Sequence, residues 1–291
     1  MELGYSPCPN DCFIFYALAH RKVAPELDVK VRLEDVETLN QLARSGTLLV
    51  TKASYHAFFH LADEYVMLRS GGALGFGVGP LIVAKRPLKT LSSLRVAVPG
   101  GLTTANLLLK LSQPDDLEVT ELRYDRIMPA VAAGEVDAGL IIHESRFTFP
   151  DYGLTLHLDL GAWWEAETGL PLPLGGIMAK RSLETLMQLD DAVRQSVRYA
   201  YAHRAEAQPY IAAHAQEMDE RVMQQHIDLY VNELSLTVGA VGERAVQELY
   251  RRARERGLVP VVRAPLFVPA VVPAVVPADA PTEPHTPSMH G

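Results

Sequence analysis

The feature that most constrains this chain is an alternation. Short apolar segments of strand length are followed repeatedly by segments of helix length, joined by turns rich in Pro, Gly, Ser, Thr and Asn. Residues 3–5, 29–33, 48–51, 81–84, 95–98, 117–122, 136–142 and 172–179 read as strands. Helices fit after Asn10 or Asp11 as a cap, over 39–45, 55–60 and 103–111, and from Asp125 to a stop at Gly134. Such a pattern predicts an α/β fold with parallel sheets and crossover helices. The glycine-rich stretch 70–80 reads as a loop. Residues 85–90, with Pro87, read as a crossing into a second lobe, and 156–161 as the crossing back. The expected layout is lobe one over 1–88, lobe two over 89–170, and a return strand with C-terminal helices over 171–267. Residues 183–257 read as a helical cover that Asp190 and Asp191 begin and Gly257 ends. From 268 to 291 the chain is dominated by Pro, Ala and Val and reads as a disordered, Pro-rich tail, because proline removes donors and fixes φ. Two lobes joined by two crossings is the architecture of type II periplasmic binding proteins, whose ligand cleft lies between lobes at strand carboxyl ends.

Composition narrows the partners. At 291 residues, 48% hydrophobic and 21% charged, the chain can bury a proper core. A formal net charge of −8 excludes the basic face a nucleic acid requires. No apolar run reaches the ~20 residues of a membrane span. The start carries no basic and apolar leader pattern, so a cytoplasmic location is expected. Cys8 and Cys12 have no second Cys/His pair at zinc-site spacing and read as small buried thiols. No phosphate loop, dinucleotide fingerprint, nucleophile elbow or metal constellation is present, so neither cofactor nor metal is expected.

Chemistry is expected where strands meet turns. Thr103, Thr104 and Ala105 follow Pro99-Gly100-Gly101 at a helix start, where free amides and two hydroxyls would face an anion such as a carboxylate. Lys52, Ala53 and Ser54 sit at a similar turn, with Lys52 able to balance a carboxylate and Ser54 to donate. Helix capping and, for Lys52, ordinary solvation are the competing readings of these residues. His143 ends the apolar strand 136–142, and its ordinary pKa near 6.5 suits a general base. Among ten histidines only His143 has that placement. Glu144 or Arg146 could orient it. The Trp163-Trp164 pair reads as packing.

Several motifs carry a resemblance. S-P-C-P-N-D at 6–11, E-D-V-E-T-L-N at 34–40, T-K-A-S-Y at 51–55, S-G-G-A-L-G at 70–75, L-I-I-H-E-S-R at 140–146 and L-G-A-W-W at 160–164 resemble the 1,4-dihydroxy-6-naphthoate synthase family. The likeness runs to about residue 267. It implies a cofactor-free carbon–carbon lyase of menaquinone biosynthesis by the futalosine route. The substrate would be cyclic dehypoxanthinylfutalosine, and the products 1,4-dihydroxy-6-naphthoate and dihydroxyacetone. The family's histidine base matches His143, and its substrate-contacting turns match Lys52 to Ser54 and Thr103 to Ala105. The family carries threonine where this chain has Cys12. The rival readings are the sister chorismate dehydratase, a non-catalytic solute-binding protein, and a regulator's effector domain. The H-E-S-R segment, the missing leader and the missing helix-turn-helix argue against them in that order.

Overall fold

The computed structural model describes residues 1–113, 116–215 and 219–270, and its strands gather into two sheets. The first is built on β1 (Glu2–Tyr5), β2 (Lys30–Leu33) and β3 (Val50–Ser54), parallel to one another, with helices α1 (Pro9–Ala19) and α2 (Val36–Arg44) between them. After α3 (Tyr55–Leu61) come β4 (Tyr65–Met67) and β5 (Ala73–Gly75). Both pair antiparallel with the long return strand β11 (Leu172–Lys180), giving the order β2-β1-β3-β11-β4 with β5 also on β11. The second sheet runs β10-β6-β9-β7-β8, from β6 (Leu81–Ala84), β7 (Arg95–Val98), β8 (Glu118–Glu121), β9 (Ala138–Ile141) and β10 (Thr155–Asp159). Its helices are α4 (Thr104–Ser112), α5 (Tyr124–Ala133), the single turn α6 (Ser145–Thr148) and α7 (Leu160–Thr168).

Burial follows sheet position. β9, Ala-Gly-Leu-Ile, is buried throughout at the sheet centre, whereas β8, Glu-Val-Thr-Glu, is exposed at an edge, where charge blocks further pairing. α1 is apolar nearly all round and is buried from Pro9 to Leu18 between the first sheet and the C-terminal helices. These are α8 (Leu186–Ala202), α9 (Arg204–His214), α10 (Glu220–Tyr230), α11 (Glu233–Leu236) and α12 (Gly239–Glu255).

Several expectations need correction. The sheets are mixed, not parallel: β11 runs against β3, and β6 against β9 and β10. These strands arrive from the other lobe, so the crossover rule for successive parallel strands of one sheet does not set their direction. Because β6 belongs to the second sheet, the crossing lies before Leu81, not over 85–90. Residues 156–159 are likewise strand, so the return follows α7. The first crossing passes so close to the start of α7 that a methyl group on Gly161 would overlap the Val78 carbonyl, and one on Gly79 would meet the Gly161 backbone. Helix α1 starts at Pro9, capped by Cys8, because proline at the first helical position is preset for the turn. Asp190 is interior to α8: buried, it accepts from the amides of Arg69 (2.7 Å) and Ser70 (2.9 Å) and from Arg194 (2.6 Å). The glycine-rich stretch contains β5. Val268, placed in the tail by its composition, is buried, and its amide donates to the Met67 carbonyl at 2.9 Å. The rest of the tail from 271 lies outside the described residues.

Candidate active site

Both sheets and the helical cover contribute to one cleft of about 710 Å³, counted to its open mouth. The first lobe supplies Ser6, Asn10 and Asp11 from the β1–α1 turn, and Lys52, Ala53 and Ser54 from the end of β3. The second supplies Thr103, Thr104 and Ala105 at the start of α4, and Ile142 and His143 after β9; α10 adds His226 and Tyr230. His143, Lys52, Ala53, Ser54, Thr103, Thr104 and Ala105 therefore all line this cleft, whereas Glu144 and Arg146 do not.

On the first-lobe side the polar groups satisfy one another. Lys52 Nζ donates to Asp11 Oδ1 and to the Gly71 carbonyl, both at 2.9 Å, in a buried ion pair. Asp11 Oδ2 accepts from the Ser6 hydroxyl at 2.7 Å, and Asn10 Nδ2 donates to Asp11 Oδ1 at 3.1 Å. Ser54 is held by Asn40, which donates Nδ2 to its Oγ (3.2 Å) and accepts its amide (3.0 Å). The Ser54 hydroxyl hydrogen is left for the cleft.

At the start of α4 the two hydroxyls are engaged by the protein. Thr103 Oγ1 caps the Asn106 amide (3.2 Å) and donates to the Gly100 carbonyl (2.9 Å). Thr104 Oγ1 donates to the Leu174 carbonyl at 2.6 Å and accepts the His56 amide at 3.3 Å. The expectation that both hydroxyls face a ligand therefore fails, because helix capping and the joining of the lobes take them. The amides of Thr104 and Ala105 have no partner among the described residues and remain as donors at the positive helix end. His56 Nδ1 also donates to the Thr103 carbonyl at 3.2 Å; burial pulls its pKa down to about 4, with His60 adding to the effect. Across the same boundary Glu37 Oε2 accepts the Leu102 amide at 3.1 Å, and a side chain at Gly100 would collide with Glu37.

His143 has the opposite character. Its φ is +57°, a left-handed conformation that costs a non-glycine residue about 1–3 kcal/mol and clusters at functional sites. That turn carries the ring off the end of β9, edge-on to Tyr124 at 5.2 Å and stacked on His226 at 6.2 Å. Nδ1 lies 3.2 Å from Cys8 Sγ in the facing lobe. Burial pushes the Cys8 thiol well up, helped by Glu144, so it stays protonated. Burial lowers the His143 pKa against an opposing pull from Glu144, so the ring is neutral at pH 7. A base acting through Nε2 requires the tautomer with hydrogen on Nδ1, donated to sulfur; Nε2 is buried and has no partner among the described residues. His226 is driven to the neutral form by burial and then by His143. Because Asn10 Nδ2 is committed to Asp11, Asn10 Oδ1 faces His226 and fixes its hydrogen on Nε2, at 2.9 Å. His226 Nδ1 then faces Glu144 Oε2 at 3.9 Å, and both atoms are buried and unpartnered.

The sequence reading missed Cys8, Asn10, Glu144 and His226 as a group. His226 lies on the buried stripe of α10 with Met223, Ile227 and Tyr230, where the sequence pattern is that of a core histidine. Cys8, His143 and Glu144 each place one potential metal ligand within 4.8 Å of the others, a cluster invisible to local spacing. Arg146 does not orient His143: it donates to the Gly79 carbonyl (3.0 Å) in the first crossing and to Asp159 (2.7 Å) at the end of β10. Trp164 is core, donating to the Pro171 carbonyl at 3.2 Å, and Cys12 is fully buried in α1; neither lines the cleft.

A family model described as menaquinone biosynthesis matches residues 1–255. The chain is 58% identical to a 1,4-dihydroxy-6-naphthoate synthase of Thermus thermophilus over 92% of this chain and 99% of that one. It is 46% identical to the protein of that name from Streptomyces coelicolor, over 90% and 95%. Among solved structures, an Archaeoglobus fulgidus protein superposes with a TM-score of 0.84 at 39% identity, over 89% of this chain and 98% of that chain. The alkanesulfonate-binding protein of Xanthomonas axonopodis pv. citri, bound to MOPS, gives a TM-score of 0.65 at 16% identity over 90% and 94%, a likeness of fold.

Proposed function

The chain belongs to the menaquinone-biosynthesis family, and from that premise we propose that it is a cytoplasmic, cofactor-independent carbon–carbon lyase. It converts cyclic dehypoxanthinylfutalosine into 1,4-dihydroxy-6-naphthoate and dihydroxyacetone, with His143 as general base. The observation that carries this reading is His143 itself: a neutral ring in a strained turn, anchored through Nδ1, with an unpartnered Nε2 in the cleft.

The substrate carboxylate is received by the amides of Thr104 and Ala105 with the Ser54 hydroxyl, a donor set at a helix N-terminus. Lys52 adds positive charge beside it while remaining paired to Asp11. Held there, the hydroxylated part of the substrate meets His143 Nε2. Nε2 takes a hydroxyl proton, the oxygen's electron pair forms a carbonyl on the departing fragment, and the adjacent carbon–carbon bond breaks. Its electrons enter the ring that becomes aromatic, and the proton returns to the naphthoate oxygen. Aromatisation supplies driving force, and a positioned base contributes roughly 10²–10⁴-fold. No described helix is long and apolar enough to cross a membrane, in keeping with a small-molecule enzyme.

Incubating the purified protein with cyclic dehypoxanthinylfutalosine should yield the naphthoate and dihydroxyacetone in equal amounts. Tight binding without turnover would point to a solute-binding protein; turnover of chorismate in its place would point to the sister dehydratase.

A further inference from the structure

Besides Asn106 Oδ1 on α4, three buried side-chain polar atoms have no partner among the described residues: His143 Nε2, Glu144 Oε2 and His226 Nδ1. The first is used by the base. The other two lie 3.9 Å apart on residues that are 7% and 1% exposed: His226 lines the cleft, and Glu144 follows the cleft-lining His143. We propose that His226 and Glu144 form a hydroxyl-accepting subsite that holds the departing three-carbon fragment and sets which way round the substrate lies. This rests on the reaction assigned above.

Asn10 fixes the only hydrogen of neutral His226 on Nε2, so Nδ1 is an acceptor. Glu144 Oε2 is also an acceptor, and the two cannot bond each other. A buried acceptor left unpaired costs about 1–3 kcal/mol, more when charged, so donors supplied by water or a ligand stabilise this pair. At 3.9 Å the atoms are spaced to take two hydroxyl hydrogens from neighbouring carbons, or two from one water before substrate enters. The carboxylate repels an anion, which excludes the substrate's acid end. That end is drawn to the Thr104 and Ala105 amides, where the cleft offers donors. Donors in one part of the cleft and acceptors in another read a molecule with an acid at one end and a diol at the other. The polarity also presents the hydroxyls to the His143 ring, which stacks on His226.

His226→Leu and Glu144→Gln isolate the subsite. Leucine removes the Nδ1 acceptor and offers none in its place, and Glu144→Gln preserves shape while removing the charge. With EDTA present, each should raise KM for cyclic dehypoxanthinylfutalosine at least ~10-fold, the effect of about 1.4 kcal/mol. Each should leave the inhibition constant of 1,4-dihydroxy-6-naphthoate, which retains the acid but lacks the fragment, within about twofold. KM unchanged in both variants overturns the subsite. So does a parallel loss of substrate and naphthoate affinity, which marks a structural role. Loss of wild-type substrate affinity on adding EDTA also overturns it, since a metal would then occupy the acceptors. A wild-type protein that makes no naphthoate overturns the assigned reaction together with the subsite; wild-type turnover with an unmoved KM overturns the subsite alone.

Discussion

The two lobes bring opposite kinds of polar group to the same cleft. In the first lobe Asp11, Lys52, Ser6, Asn40 and Ser54 are bonded to one another, so that wall is rigid and nearly neutral before any ligand arrives. In the second lobe the residues after β9 are left wanting: His143 is strained, its Nε2 is bare, and Glu144 Oε2 has no donor. Reactivity is kept on the unsatisfied side. A nearly saturated wall positions, because its groups, the Ser54 hydroxyl hydrogen apart, are already bonded; an unsatisfied wall reacts, because the ligand supplies what the protein withholds. The Cys8 contact joins the two, so a rigid group of the first lobe aims the base of the second.

The comparison is tested most severely by removing the base. His143→Ala should fold and bind substrate yet lose at least ~10²-fold in kcat. A loss of only a few-fold would mean that the unsatisfied wall is not the reactive one. The same kind of cut on the saturated side should read out as stability. Asp11→Ala leaves the Lys52 ammonium buried with only a carbonyl, and should cost about 3–5 kcal/mol in denaturant unfolding. A change under about 1 kcal/mol would show that this wall is not held by its pairing.

Titration sharpens the contrast. Since burial lowers the His143 pKa, kcat in the wild type should hold as pH falls past the ordinary histidine value near 6.5 and decline only below it. Glu144 opposes that lowering, so Glu144→Gln should move the acidic limb further down; an upward move would contradict the assigned electrostatics. Stability follows the same sign. His56 and His226 are buried neutral with depressed pKa values, so the unfolded chain gains protons first as pH drops below about 6.5. Stability should therefore be intact above that pH and fall below it, for His56 down to about 4; His56→Gln should flatten part of the loss. The smallest effect is expected from shortening the chain. Removing 271–291 should leave melting temperature and turnover unchanged, while cutting before Phe267 should lower the melting temperature by removing the Val268–Met67 contact.

Much of the site was legible because it depends on local order. A strand, a turn and a helix start place Lys52 to Ser54, Thr103 to Ala105 and His143 at strand ends whatever the rest of the chain does, and the cleft collects strand ends. What each group does there was less legible. Thr104 spends its hydroxyl on Leu174, a partner seventy residues on, which no local pattern reveals. Lys52 looked free for a ligand until the fold set Asp11 against it.

The sequence by itself determined the alternation of strand and helix, the two-lobed plan and the histidine at the end of a central strand, because those follow from periodicity and turn chemistry over a few residues. Only the tertiary structure decided the direction of β6 and β11, the joining of Cys8 to His143 and the meeting of His226 with Glu144. Those pairings link residues 82 to 135 apart along the chain, or strands arriving from another lobe. Hydrogen bonds and desolvation act over a few ångströms, so they are fixed by where the chain returns and not by what stands beside each residue in sequence.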